Sequence, residues 1–60
     1  MRWALFVQGI VDGEWQPWRL EGTTDDFDLA RKSALAAAAA EGDTEFVRLF
    51  DLDAGTRVEL

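Results

Sequence analysis

Three groups of side chains in this 60-residue chain are of types that could do chemistry. The first is carboxylates: Asp25, Asp26 and Asp28 in one run, Glu41, Asp43 and Glu45 in another, and Asp51 two positions from Asp53. Clustered carboxylates can ligate a hard cation, or they can present phosphate-like charge to a basic site on another protein. The second group is Lys32 beside Ser33, which pairs a base with a nucleophile by residue type. The third is aromatic side chains interspersed with arginines, Phe6, Trp15 and Phe46 with Arg19 and Arg48, the composition of a surface on which single-stranded bases stack.

Spacing decides against the catalytic and metal readings. Lys32 and Ser33 are neighbours in a helical stretch, where adjacent residues do not face each other. Asp51 and Asp53 have neither the ligand count nor the periodicity of a calcium loop, and turn formation accounts for Asp53. The chain contains no histidine and no cysteine, which removes the usual catalytic bases, the structural zinc sites and disulfides. It has no glycine-rich phosphate loop and no CxxC or HExxH pattern, and its five glycines fall one to each bend or connection. A domain of this size leaves little volume for a deep pocket. We expect no enzymatic activity, no metal site and no cofactor.

Twelve acidic against six basic side chains give a net charge of -6. That charge favours solubility and opposes contact with phosphate backbones, so direct nucleic-acid binding is disfavoured. No apolar run approaches the roughly 18 residues of a membrane span, and Met1 leads into Trp3–Val7 without a basic segment and cleavage site. A cytoplasmic, non-membrane protein is expected.

The elements that position these groups centre on an alanine-rich stretch. From Ser33 to Ala40, six of eight residues are alanine, the strongest helix former, which predicts a helix over about residues 24–41. Thr23 or Thr24 caps its start in this reading, Asp25, Asp26 and Asp28 complement its dipole, and Gly42 ends it in a left-handed conformation. Phe27, Ala30, Ala34, Ala37, Ala38 and Glu41 share one stripe, with Leu35 at its margin and Leu29 on the far side. Alanines let the helix lie close to a sheet while leaving the core's bulk to other segments.

Those segments read as strands over about 2–9, 14–20, 44–51 and 57–60. Asp12-Gly13 between two apolar stretches predicts a two-residue type I′ turn. Its register sets Val11 opposite Glu14, Ile10 opposite Trp15, Val7 opposite Trp18, Phe6 opposite Arg19 and Leu5 opposite Leu20. One face then collects Trp3, Leu5, Val7, Trp18 and Leu20 as the core. The other collects Ala4, Phe6, Gln8, Ile10, Trp15 and Arg19, and Gly9 and Pro17 mark places for a bulge or break. In the second hairpin, a three-residue loop puts Phe46, Phe50, Val58 and Leu60 on one face. A loop of two or four residues instead aligns Val47 and Leu49 with Val58 and Leu60.

The expected fold is therefore α+β, a single small ββαββ domain over residues 1–60. It has a four-stranded antiparallel sheet, or three strands if the last residues do not join, with the helix across one face. A sheet covered on one side has a face to spare, and Phe6, Ile10, Trp15, Arg19, Phe46, Arg48 and Phe50 are the candidates to line it, with Arg57 at its border. Contiguous exposed apolar area marks an interface. The expected function is a non-catalytic protein-interaction module, self-associating as a homodimer through this open face. Two alternatives stand beside it. One is an acidic inhibitor or nucleic-acid mimic acting through Asp25, Asp26 and Asp28 with Glu41, Asp43 and Glu45, two clusters separated by a helix of roughly 25 Å. The other is single-stranded nucleic-acid binding by the aromatic and arginine face.

Overall fold

Alternation along Trp3–Val7 sends Trp3, Leu5 and Val7 to one side of a strand and Ala4 and Phe6 to the other, and this strand becomes the centre of the fold. The computed structural model describes residues 2–42 and 46–60. The expected strand start at Thr44 and the candidate acids Asp43 and Glu45 lie outside the described residues. In chain order the elements are β1 (Trp3–Val7), β2 (Ile10–Val11), β3 (Glu14–Trp15), β4 (Arg19–Thr24), α1 (Phe27–Glu41), β5 (Val47–Asp51) and β6 (Thr56–Val58). β4, β1, β5 and β6, in that order, form a four-stranded antiparallel sheet, with α1 packed on one face. β2 and β3 form a separate two-stranded ribbon.

The core lies between α1 and the sheet. Trp3, Leu5 and Val7 from β1 and Val47 and Leu49 from β5 meet Ala30, Ala34 and Ala38 from the helix, with Ala37 and Val58 packed at the margin. Ala34 and Val47 are fully buried and Leu49 is 1% exposed. Small residues on the helix and large ones on the sheet are complementary, so the two layers can approach closely along the alanine stripe. Phe27, in the first helical turn, lies 5.2 Å from the Trp3 ring and closes that end of the core. Leu29 is not on the helix's far side, as the stripe predicted. It is on the flank above β4, where it lines a cleft with Leu5 and Ala30.

The helix begins later than propensity predicts, because the residues before it are used by the sheet. Thr23 and Thr24 belong to β4 and pair with Ala4 and Trp3. Asp26, rather than either threonine, is the cap, its carboxylate accepting from the Leu29 N–H at 3.2 Å. Thr24 supports it one step back, its hydroxyl accepting from the Asp26 N–H at 3.1 Å. Gly42 ends the helix in the expected left-handed conformation, φ 83°, and its N–H donates to the Ala39 carbonyl. Asp26→Ala is expected to cost about 1 kcal/mol, the worth of a side-chain cap, whereas Thr24→Ala costs less. Urea unfolding of the two variants checks the order.

In the first hairpin, the Asp-Gly turn forms as expected, with Asp12 at φ 52° and Gly13 at φ 79°. Ile10 pairs with Trp15 and Val11 with Glu14. Beyond that ribbon the register departs from expectation twice. Three residues, Gln16 to Trp18, span the distance that Gln8 and Gly9 span on the other arm, so Val7 faces Arg19 and Phe6 faces Leu20. Pro17 cannot donate to a ladder, which is why the break falls there. Trp18 and Leu20 consequently leave the core face where they were expected; Leu20 is 56% exposed. A second shift follows at Glu21, after which Leu5 faces Gly22. This bulge restores the original alternation and places a glycine on the core face of β4.

The second hairpin uses a four-residue loop. Asp51 pairs with Thr56, Phe50 with Arg57 and Leu49 with Val58, so Val47, Leu49 and Val58 point to the core and Phe50 away from it. The Asp51 carboxylate selects this loop by accepting from the N–H groups of Asp53 and Ala54, at 3.0 and 3.1 Å. The Gly55 N–H donates to the Asp51 carbonyl at 2.8 Å, with Gly55 at φ 69°.

Candidate functional site

Opposite the helix, the sheet has a second layer made of aromatic residues. β1 contributes Phe6, β5 contributes Arg48 and Phe50, and the Pro17 break brings in Trp18. The Phe6 and Phe50 rings meet edge to face with centroids 5.7 Å apart. The Arg48 guanidinium sits 4.8 Å from the Trp18 ring centroid, close enough for a cation–π attraction. Trp15 stacks on Phe46 at 4.8 Å with an interplanar angle of 17°. Ala4 is on this side too and is only 2% exposed, although it is not part of the helix-side cluster. The open face therefore has a partial cover of its own.

Gln8 secures the join between this layer and the projecting ribbon. Its side-chain amide donates to the Gln16 carbonyl at 2.9 Å, its backbone N–H donates to the Phe46 carbonyl at 2.9 Å, and the Gln16 N–H donates to the Gly9 carbonyl at 2.9 Å. These bonds replace the ladder that Pro17 interrupts. Beside them, Gln8, Trp15, Trp18, Arg48 and Arg57 line a hollow of about 390 Å³. A smaller apolar hollow of about 160 Å³ is lined by Phe6, Trp18, Arg48 and Phe50. Among the described residues, no carboxylate lines either one.

Of the residues that sequence reasoning nominated for this face, the structure groups Phe6, Arg48 and Phe50 on it and sets Trp15 against Phe46 at its end. Ile10, opposite Trp15 in the ribbon, is 47% exposed. Arg19 falls elsewhere: it stands opposite Val7, a core-face position on the edge strand, and its Nε lies 3.4 Å from Glu21. Trp18 and Leu20 were not nominated, since the uninterrupted hairpin register sends them inward. The signal that points to Trp18 is Pro17 immediately before it.

The acidic candidates are apart from this face. Asp25, Asp26 and Asp28 gather at the start of α1 and Glu41 is in its last residue, so the length of the helix separates them. Asp26 is already engaged as the cap. Asp51 organises its turn, and Asp53 accepts from the Arg2 N–H at 3.2 Å. Among the described residues, no three carboxylates converge as a cation site would require, and no helix is long and apolar enough to cross a membrane. No protein family, characterised protein or solved structure matches the chain.

Proposed function

We propose that the protein is a non-catalytic interaction module of the cytoplasm that self-associates as a homodimer through the aromatic face of its sheet. The supporting observation is the apolar surface left on and around that face. Trp15 and Leu20 are each 56% exposed and Ile10 is 47% exposed, beside the half-buried Phe6, Trp18 and Phe50. Water contact at such a surface costs free energy that a partner's apolar surface removes. The molecule is elongated, 37 × 19 × 17 Å, and its long side offers an area comparable to the about 800 Å² that each partner contributes to a standard interface.

Charge fits a second copy of the chain. The face carries Arg48 and Arg57, while the tip of the β2–β3 ribbon carries Asp12 and Glu14. In a two-fold arrangement with the sheets antiparallel, the acidic tip of one copy reaches toward the arginines of the other. Sedimentation equilibrium across concentration tests the proposal. A dimer is expected at tens of micromolar, and Leu20→Glu, exposed and on this face, is expected to weaken it by about tenfold or more. A strictly monomeric species throughout that range rejects the reading.

The same aromatic residues and two arginines, with no carboxylate among the described residues that line their hollows, favour single-stranded nucleic acid as a second reading. Titration with a short mixed-sequence single strand, followed by tryptophan fluorescence, separates the two. Salt-sensitive quenching supports nucleic acid, and an unchanged signal removes it.

A further inference from the structure

Between β4 and α1 there is a cleft that the aromatic face does not share. β4 is an edge strand, paired among the described residues only with β1. Edge strands expose backbone N–H and C=O groups that an extended segment can satisfy by adding as a further strand. Beyond the bulge at Glu21, Gly22 to Thr24 pair regularly with Leu5 to Trp3, so the edge there is a continuous template. Gly22 occupies a core-face position opposite Leu5, where a side chain would ordinarily cover the core. Having none, it leaves a notch.

The notch is open and apolar. A Cβ built on Gly22 meets nothing within 4 Å. The hollow is about 190 Å³ and reaches from Gly22 and Glu21 past Leu5, Ala30 and Leu49 to Leu29. Leu29 remains 54% exposed. Pockets for cofactors and metabolites run to about 300–1,000 Å³, so this one suits a single aliphatic side chain rather than a free ligand. A template edge and a one-residue pocket beside it are the two parts of strand-addition recognition: backbone bonds supply affinity and the pocket reads an alternate side chain.

Charge specifies the partner further. Glu21 is at one side of the cleft, with the long 3.4 Å contact to Arg19 as its ion pair. At the other end Thr24 leads directly into Asp25 and Asp26, with Asp28 in the first helical turn. We propose that this cleft takes an extended peptide segment of another protein, which adds to β4 with a leucine-sized side chain in the Gly22 notch and a lysine or arginine two positions to either side of it on the same face. Side chains two apart on a strand share a face, so the two basic positions flank the leucine, one toward Glu21 and the other toward Thr24 and the aspartates that follow it.

The test uses the full chain and a capped heptapeptide probe of threonines, with leucine at its centre and lysine two positions to either side. Fluorescence anisotropy and backbone amide shifts of β4 report binding. Saturable binding with shifts centred on Gly22 to Thr24 is expected, weakened about tenfold when the central leucine is replaced by alanine, since burial of a leucine side chain supplies that much. Gly22→Val fills the notch. The backbone at Gly22 is not left-handed, so valine is tolerated, the unfolding midpoint is held or raised, and binding is lost. Glu21→Lys, a surface change, is expected to shift preference toward a probe with glutamate in place of lysine. Three results overturn the proposal: no binding up to about 1 mM probe, equal affinity for the leucine and alanine probes, or undiminished binding by folded Gly22→Val protein. Concentration-dependent protection of β4 amides without peptide also overturns it, by assigning the edge to a second copy. Dimerisation through the aromatic face is read separately by Leu20→Glu, so either proposal can fail alone.

Discussion

Leu49→Ala is expected to remove about half or more of the chain's folding stability. Leu49 is 1% exposed in β5, flanked by Leu5 on one side and Val58 on the other, and it lies under the alanine stripe of α1. Removing its side chain deletes the largest wholly enclosed apolar group in the core and opens a cavity that two neighbouring strands and a helix cannot all close. Such truncations cost about 2–5 kcal/mol. A domain of this length has a total stability on the order of 3–9 kcal/mol, and with no cysteine in the chain no disulfide compensates. The variant consumes most of that margin. Far-UV circular dichroism with urea titration measures it, beside Leu52→Ala as a control at a residue 48% exposed, where a change of no more than about 0.5 kcal/mol is expected. A loss under about 1 kcal/mol for Leu49→Ala would place the core elsewhere.

The helix-side core is small because its helix contributes alanines, and β1 and β5 carry aromatic residues on their other side. Phe6 with Phe50 and Trp18 with Arg48 form contacts there, and Ala4, opposite Phe50 in the sheet, is buried although it is not part of the helix-side cluster. In the proposed dimer this layer is half of an interface as well as half of a core. A partner sheet would finish it by burying Leu20, Trp15 and Ile10, which the monomer leaves exposed.

How much of this was legible in the sequence depended on whether a local signal set the geometry. Asp12-Gly13 has a strong local preference, and the ribbon pairing of Ile10 with Trp15 follows from it. The helix and its Gly42 terminus follow from propensity and left-handed tolerance in the same way. The four-stranded sheet with one helix across it follows from the order of apolar segments. Expectation and structure part where two local signals compete. Thr23, Thr24 and Asp26 are all good caps, and the choice fell to Asp26 because long-range pairing with β1 claimed the threonines. Pro17 announced a break but not its length, and one extra residue moved Trp18 and Leu20 across the sheet. The bulge at Glu21 has no local signature beyond the following glycine, so the Gly22 notch was not foreseeable. The second hairpin had three loop lengths compatible with Gly55, and the bonds from Asp51 to the Asp53 and Ala54 N–H groups chose one.

Ala34→Leu tests the opposite kind of error in the core, an excess of volume. Ala34 has no exposed surface and sits mid-helix between Ala30 and Ala38, the two other alanines by which α1 touches β1 and β5. Leucine is the better side chain by hydrophobicity and nearly as good by helix propensity, so a loosely packed interface would gain from it. A close-packed one cannot admit three more carbon atoms without moving the helix off Val47 and Leu49 or forcing them from their rotamers, at a cost of about 1–3 kcal/mol. The sign of the change therefore reports the spacing of the two layers. Ala36→Leu, exposed on the same helix, controls for propensity and should stay within about 0.5 kcal/mol of the parent. We expect Ala34→Leu to lower the urea midpoint while Ala36→Leu does not. Stabilisation by Ala34→Leu would mean that the helix rides higher above the sheet than its alanine stripe implies. The aromatic layer on the far side would then carry a larger share of the fold's stability.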